Sequence, residues 1–219
     1  MSRVLVTGVS LISCLGDKDD TWAKVTRGIS GIKIAQPFPF LPPLPLGLID
    51  SSPASVTDLT SKLIHQLCDD GCLYPPIRDI AVVVGSSRGC QSQWESLLST
   101  HDFASWLNSF PHEIALVVAR YLQTSYIVLS PMNSCATSLS AIARGYELIK
   151  RNECSQVVVG AVECPITPLT ITGFSQMKAL SDRGCYPFDK DRNGFVLGEG
   201  GGMLLLEKEE SALQRQATI

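Results

Sequence analysis

The sequence is poor in the features that mark several classes of protein. Charged side chains make up 18% of its 219 residues, and the formal net charge is −3. The lysines and arginines form no basic stripe, which argues against a nucleic-acid partner. No apolar run is long enough to span a membrane, and the opening MSRVLVTG lacks the layout of a signal peptide. These absences predict a globular cytoplasmic protein with neither nucleic acid nor membrane as a partner.

Metal-binding and cofactor-binding patterns are also missing. The chain has three histidines, and its eight cysteines form no C-x-x-C pair, so no zinc pattern is complete. The glycines at positions 8 and 16 do not form G-x-G-x-x-G, and GEGGG at 198–202 precedes a predicted strand and lacks a following Lys-Ser/Thr. We therefore expect no metal and no cofactor, and we expect free thiols in a reducing cytosol.

Strand-like and helix-like segments alternate along the chain. Continuous or alternating apolar runs predict five strands, at residues 3–9, 79–85, 126–129, 156–162 and 202–207. Apolar spacings of three and four predict helices at 17–27, 55–69, 111–122, after Cys135, and at 209–216, with partial helix in 94–108. Six prolines predict irregular structure over 36–53. The pattern indicates an α/β fold with a five-stranded, mixed, mostly parallel sheet and helices on its faces.

One cysteine stands at a chemically favourable place. Cys135 comes where a turn gives way to a helix, and the unpaired N–H groups at a helix start favour a thiolate over a thiol. The helix has an apolar stripe through Leu139, Ile142, Tyr146 and Ile149. By position alone Cys135 is either a nucleophile or an inert, buried thiol, and buried cysteines are the commoner case.

Four stretches in register decide between these alternatives. The run from Cys135 to Ile142, CATSLSAI, resembles the nucleophile motif of β-ketoacyl-[acyl carrier protein] synthases, the condensing enzymes of fatty acid and polyketide synthesis. Residues 4–16 resemble the first strand and turn of that family. Residues 156–181 resemble the strand and segment after the nucleophile helix, and PFDKDRNGFVLGEGGGMLLLE at 187–207 resembles the family's characteristic glycine-rich run.

The resemblance implies a thiolase-like fold, which this family builds from two similar halves, with residues 1–219 forming the N-terminal half. It also implies a homodimer and an acyl carrier protein as partner. Cys135 would hold the acyl group as a thioester, and its backbone N–H would be one arm of an oxyanion hole. A malonyl unit would then lose CO₂ and attack that acyl group. Phe195 matches a family phenylalanine near the active site, and no cofactor is implied.

The chain also departs from the family pattern. The family's catalytic histidines lie in its second half, and none of His65, His101 and His112 matches them. Arg88 stands where the family commonly carries an apolar gate residue, which favours a polar or short substrate unless Arg88 only faces solvent or pairs with a carboxylate. Pro131 is expected inside the strand that pairs across the family's dimer axis, where it would delete a hydrogen bond.

Two further expectations concern the glycine-rich run and the chain as a whole. We expect the glycines of 198–202 to pack closely beside Cys135, and Glu199 to be a buried, hydrogen-bonded structural carboxylate. By itself this half is expected to accept an acyl group but not to condense. The alternatives are a non-catalytic or split-partner subunit that needs a second half, and a truncated product with no independent role.

Overall fold

The computed structural model describes residues 3–101, 104 and 106–219, so the predicted partial helix at 94–108 falls partly outside the described residues. The strands are β1 Val4–Ser13, β2 Gly16–Asp17, β3 Lys33–Ala35, β4 Leu44–Gly47, β5 Ala81–Gly85, β6 Val128–Leu129, β7 Gln156–Glu163, β8 Leu197–Gly198 and β9 Gly200–Lys208. The α-helices are α1 Lys18–Val25, α2 Val56–Asp70, α3 Gln91–Thr100, α4 Glu113–Leu122, α5 Thr137–Lys150, α6 Pro168–Gln176 and α7 Glu209–Gln214. Two short 3₁₀ helices lie at Trp106–Ser109 and Ser134–Ala136.

The main sheet has six strands in the order β2-β1-β9-β7-β5-β6. The pairs β5–β7 and β5–β6 are parallel, whereas β9 runs antiparallel to both of its neighbours, β1 and β7. Consequently β1, β7, β5 and β6 all point in one direction, which confirms a mixed, mostly parallel arrangement. The predicted number of five strands was wrong, because the two-residue strand β2 is too short to show any periodicity.

Helices cover both faces of this sheet, as predicted. The strands β5 and β7 are rich in valine, and alternate residues point to opposite faces. One set of side chains packs with α2 and α4, and the other set packs with α5. Both faces of β5 and β7 are therefore apolar, which explains the continuous hydrophobic runs in the sequence.

Helix α5 presents a different face to the sheet than its apolar stripe predicts. Its buried residues include Ala141, Gly145 and Leu148, whereas Leu139 is 69% exposed and Tyr146 is 47% exposed. Small residues let the helix axis approach the sheet closely, and a methyl group added at Gly145 would lie 2.2 Å from a side-chain carbon of Val159. The predicted stripe through Leu139 and Tyr146 was therefore wrong, although Ile149, at its far end, is buried.

The strands β3, β4 and β8 form a second sheet, and β4 lies inside the segment 36–53 that was predicted to be irregular. Its order is β3-β4-β8, with β4 antiparallel to β3 and parallel to β8. Strand β4 contains Pro45, but β8 pairs only with Leu46 and Gly47, so the missing N–H of the proline is not needed on that side. This sheet carries a separate apolar cluster that includes Leu46, Ile171 and Leu197.

The C-terminal segment is tied to the core by a buried carboxylate. Glu207 is fully buried in β9, where it accepts hydrogen bonds from Thr7, Gln156 and Arg215. Burial opposes ionisation of Glu207, but these donors outweigh it and hold the pKa of this carboxyl below its ordinary value. Over the described part of the chain, no helix has the length and hydropathy of a membrane span.

Candidate active site

Cys135 lies on a sharp turn between β6 and α5. It is the middle residue of the 3₁₀ turn Ser134–Ala136, and α5 proper begins at Thr137. Ser134 has a positive φ of 48°, a conformation that non-glycine residues adopt rarely and at some cost. Pro131 lies between β6 and this turn, so the expectation that it interrupts the strand was wrong. The turn directs the chain from the sheet edge into α5.

A buried threonine holds this turn together. The Thr137 hydroxyl donates to the Ser134 carbonyl oxygen at 2.7 Å and accepts from the Asn133 backbone N–H at 2.9 Å. The Asn133 side-chain amide in turn donates to the Ser140 hydroxyl at 2.9 Å. Because Thr137 is only 2% exposed, its two hydrogen bonds are partly shielded from water, whereas the bond between Asn133 and Ser140 is exposed. The position of Cys135 is therefore fixed by Asn133, which precedes the turn, and by Thr137, which follows it.

The end of β5 packs against the same turn. A methyl group added at Gly85 would lie 2.1 Å from the carbonyl oxygen of Pro131 and 2.8 Å from a side-chain carbon of Thr137. Gly85 is buried, and only its lack of a side chain allows the backbone of the turn to lie against the strand. The strand end and the cysteine turn therefore form one packed unit.

The thiol of Cys135 differs from most other thiols in the protein. Its residue is exposed, and its backbone N–H donates no hydrogen bond to any described residue. By contrast, burial raises the pKa of the Cys68, Cys90 and Cys154 thiols to about 11, and it also raises the pKa of Cys164. The four buried thiols are thus held in the protonated, unreactive form, whereas Cys135 faces solvent beside a free donor.

The two predicted substrate-binding residues are joined by a third residue. The Arg88 guanidinium lies over the Phe174 ring, 5.1 Å from its centroid. Phe174, on α6, contacts Phe195 edge to face, with ring centroids 5.0 Å apart. Phe195 is fixed by main-chain bonds with Ala179 and Ser181. Arg88, Phe174 and Phe195 therefore form one continuous row, which we call the Arg–Phe row.

The loop that carries Arg88 is held by a carboxylate from the next strand. Glu163, the last residue of β7, accepts a hydrogen bond from the Ser87 backbone N–H and one from the Ser86 hydroxyl at 3.2 Å. The Ser86 hydroxyl also accepts from the backbone N–H groups of Arg88 and Gly89. These bonds make the loop a closed turn, so the direction in which Arg88 leaves the backbone is restricted.

The glycine-rich run is structural, but its neighbours are not those expected. Glu199 is buried and accepts hydrogen bonds from the Ala54 N–H at 2.8 Å and the Ile49 N–H at 3.4 Å, which confirms it as a structural carboxylate. Burial raises its pKa above the ordinary value. The nearest neighbours of Gly200 and Gly201 belong to β1, β7 and α2, so the expected packing beside Cys135 was wrong.

The three histidines take part in ordinary contacts. His65 accepts or donates a 3.0 Å hydrogen bond with the Tyr121 hydroxyl, and His112 stacks on Phe110. His101 ends α3 with a positive φ. Among the described residues, no group of histidine, cysteine and acidic side chains could hold a metal ion. In the part of the chain that the structure describes, no hydrogen bond joins any of these histidines to Cys135, and their lack of a catalytic role stays a prediction.

A cavity of about 900 Å³ lies away from the cysteine turn, between α3 and α6. Its lining is largely apolar and includes Phe38, Trp94 and Leu169, but not Cys135. This volume would suit a ligand, but no thiol in the cavity is reactive, because its one cysteine, Cys164, is buried with a raised pKa. The exposed, free-donor environment of Cys135 is the better candidate for chemistry.

Sequence reasoning missed Phe174, Ser86, Glu163 and Thr137 as parts of the site. Phe174 lies within the stretch 156–181 that resembles the family, but nothing local indicates that it separates Arg88 from Phe195. The Gly-Ser-Ser-Arg-Gly run at 85–89 does signal a turn at the carboxyl end of a strand, where open α/β sheets place ligands. Glu163 could only be found from the pairing of β5 with β7.

Comparisons with known proteins point to one family. A profile of the family described as "Beta-ketoacyl synthase, N-terminal domain" matches residues 65–212. A curated relative from Coxiella burnetii, named 3-oxoacyl-[acyl-carrier-protein] synthase 2, is 29% identical across 99% of this chain and 60% of its own length. A Staphylococcus aureus protein of the same name is 39% identical over 93 residues, or 40% of this chain and 23% of its own length. The chain thus spans about 60% of the length of the Coxiella burnetii relative, which it matches over nearly all of its own residues.

Solved structures give the same result for the fold. A β-ketoacyl synthase from Burkholderia phymatum superposes with a TM-score of 0.86 at 22% identity, and covers all of this chain and 62% of its own. A type II PKS acyl-carrier protein in complex with its ketosynthase bound to the hexaketide gives a TM-score of 0.87 at 25% identity, over all of this chain and 61% of its own. The architecture described above is therefore the ketosynthase architecture over the length of this chain.

Proposed function

Because this chain belongs to the β-ketoacyl synthase family and contains that family's N-terminal domain, we propose that Cys135 is an acyl-accepting nucleophile. In this proposal the protein takes an acyl group from an acyl carrier protein in the cytoplasm, as a step of fatty acid or polyketide synthesis. The single observation that carries the proposal is the exposed Cys135 thiol on a braced turn, next to its own unpaired backbone N–H.

The transfer step uses only groups of this turn and of the donor. The Cys135 thiolate attacks the thioester carbonyl of the acyl carrier, and a tetrahedral oxyanion forms. The Cys135 N–H is available to donate to that oxyanion. Collapse of the intermediate breaks the carrier carbon–sulfur bond, and the carrier thiolate leaves and takes up the proton that the cysteine had lost. The acyl group is then a thioester on Cys135, and no redox change occurs.

Arg88 and Phe195 are proposed to contact the acyl group. Gly85 packs against the cysteine turn, and the loop that starts at Gly85 carries Arg88, the first residue of the Arg–Phe row. Carbon–carbon bond formation needs groups that act on the malonyl donor, and among the described residues no hydrogen bond joins a histidine to Cys135. We therefore propose that these residues load the acyl group, and that condensation requires further residues such as those in the remaining length of the relatives.

Acylation of the intact chain tests the proposal. The protein is mixed with an acyl-carrier-protein thioester, and the mass added to the protein is followed by mass spectrometry with peptide mapping. We expect one acyl group on Cys135, and no acylation of the Cys135→Ala variant. Cys185→Ala is the matched control, because Cys185 is also an exposed free thiol. Equal labelling of Cys135 and Cys185, or no labelling of either, would contradict the proposal.

A second candidate function is assembly with another chain. The stripe of Leu139 and Tyr146 on α5 is exposed, and within the described residues the edge strand β6 pairs only with β5. An apolar helix face beside a free strand edge is typical of an interface. The occupant that we propose is a second copy of this chain or a complementary half of a synthase. One relative of known structure is a ketosynthase in complex with its chain length factor, from Xenorhabdus doucetiae.

Sedimentation of the purified chain distinguishes a self-associating form from a monomer. We expect Leu139→Asp to shift the protein toward monomer, whereas Leu213→Asp should leave its association unchanged, since Leu213 is similarly exposed but lies on α7. A monomer that neither self-associates nor binds a chain bearing the remaining length of the relatives would count against the assembly function. Identical behaviour of the two variants would show that the α5 stripe is not the interface.

A further inference from the structure

Arg88 differs from the other partly buried arginines in having no acidic partner. Arg144 pairs with Glu147 and Arg215 pairs with Glu207. Arg88 is half-buried, and the contact recorded for its guanidinium is with the Phe174 ring; no carboxylate of residues 3–101, 104 and 106–219 lies within ion-pair distance of it. The protein thus keeps a cation at an aromatic surface without neutralising it.

An aromatic ring satisfies such a cation only in part. The ring attracts the positive charge through its quadrupole, but it does not provide the strong in-plane acceptors that five guanidinium N–H donors can use. The preferred complement of a guanidinium is a planar anion that accepts two parallel hydrogen bonds, and a carboxylate has this geometry. The donors of Arg88 therefore remain available for an anionic group that the described chain does not provide.

The position of Arg88 connects this donor group to the nucleophile. The loop begins at Gly85, which touches Pro131 and the side chain of Thr137 in the cysteine turn. Its course is restricted by the bonds that Ser86 and Glu163 make with its backbone. On the far side of Phe174, Phe195 continues the row with an apolar ring. An acyl chain extending from Cys135 past this loop would have methylene groups beside aromatic rings and its end near a cation.

We propose that Arg88 selects acyl groups that carry a carboxylate at the distal end, so that the substrate class is the half-thioester of a dicarboxylic acid. This inference rests on the proposed function, since it requires an acyl group on Cys135. A methyl-ended chain would place apolar carbon against an unpaired guanidinium and remove water from it, which is unfavourable. A carboxyl-ended chain supplies the missing partner and forms charge-assisted hydrogen bonds.

The test compares donors that differ only at the distal end. Single-turnover acylation of Cys135 is measured with two series of acyl-carrier-protein thioesters of rising chain length, one methyl-ended and one carboxyl-ended. At the best length we expect the carboxyl-ended donor to react at least about tenfold faster, as one or two hydrogen bonds to a charged group would give. Raising the salt concentration should reduce this preference, because the pair is partly exposed.

Three variants link the preference to Arg88. Arg88→Met removes the charge at similar length, and should abolish or reverse the preference, measured as the ratio of the carboxyl-ended to the methyl-ended rate in the same variant. Arg88→Lys keeps the charge but not the bidentate geometry, and should retain part of the preference; it also serves if the methionine variant is poorly folded. Arg27→Met is the matched control, because Arg27 is exposed at the end of α1, and its preference should equal that of the unmodified protein.

The outcomes separate this inference from the proposed function. If no donor of either series acylates Cys135, the proposed function fails. If methyl-ended donors acylate Cys135 and no carboxyl-ended donor of any length reacts faster, the proposed function stands and the role of Arg88 is refuted. A carboxylate preference that survives unchanged in both Arg88→Met and Arg88→Lys would also refute it.

Discussion

Replacing Gly85 by alanine would test whether the end of β5 supports the cysteine turn. The new methyl carbon would lie 2.1 Å from the Pro131 carbonyl oxygen, whereas carbon and oxygen atoms that are not bonded need more than 3.0 Å. The carbonyl or the strand must therefore move by roughly 1 Å in a region packed at interior density. Overpacking of this kind costs about 1–3 kcal/mol, and we expect the upper end because the opposing atom belongs to the backbone.

Urea unfolding measures this cost. With a slope of about 3 kcal/mol per molar urea, a loss of about 3 kcal/mol lowers the midpoint by about 1 M. The matched control is Gly173→Ala in α6, where an added methyl group has no neighbour within 4 Å. That variant should gain about 0.5–1 kcal/mol, because alanine is a better helix former than glycine.

The Gly85→Ala variant also reports on the reactivity of Cys135. If the strand end and the turn are one packed unit, Gly85→Ala should change the rate at which a maleimide labels Cys135 in the folded protein, and Gly173→Ala should not. An unfolding midpoint of Gly85→Ala within 0.2 M of the unmodified protein, together with an unchanged labelling rate, would refute the reasoning. It would mean that the turn can shift freely over the strand, and that Cys135 is not positioned by it.

Three further substitutions probe the fold and the turn. Glu207→Gln should cost about 2–3 kcal/mol at neutral pH by leaving Arg215 unpaired. The pKa of Glu207 is lower in the folded protein, so the stability from its charge is present above its ordinary pKa of 4.5 and is lost as the pH falls through the folded pKa. The urea midpoints of Glu207→Gln and the unmodified protein should therefore converge in acid. A difference between the midpoints that does not change with pH would contradict this. Thr137→Val should cost about 1–3 kcal/mol in the same assay, since the Asn133 N–H loses its buried acceptor, and an unchanged midpoint would count against the bracing of the turn. Ser55→Ala removes the N-cap of α2 and should cost about 1 kcal/mol; no loss would show that water replaces the cap.

Local patterns predicted most of the elements because their causes are local. The helix at 55–69 was predicted from its spacing, and Ser55 does cap it, with its hydroxyl accepting from the Asp58 N–H. The strands β5 and β7 were predicted because burial on both faces requires continuous apolar runs. The three-stranded sheet was missed because pairing of β4 with β8 joins residues about 150 positions apart, and no local signal records such a pairing.

The sequence alone determined the kind of fold and predicted Cys135 as the candidate nucleophile. Alternating strands and helices, and the motifs by which the chain resembles its family, are properties of short segments, so they can be read from residue order. Only the tertiary structure decided which face of α5 is buried, that Gly85 supports the cysteine turn, and that Phe174 joins Arg88 to Phe195. These features depend on side chains and backbone that meet across the sheet, and such contacts are set by packing rather than by local periodicity.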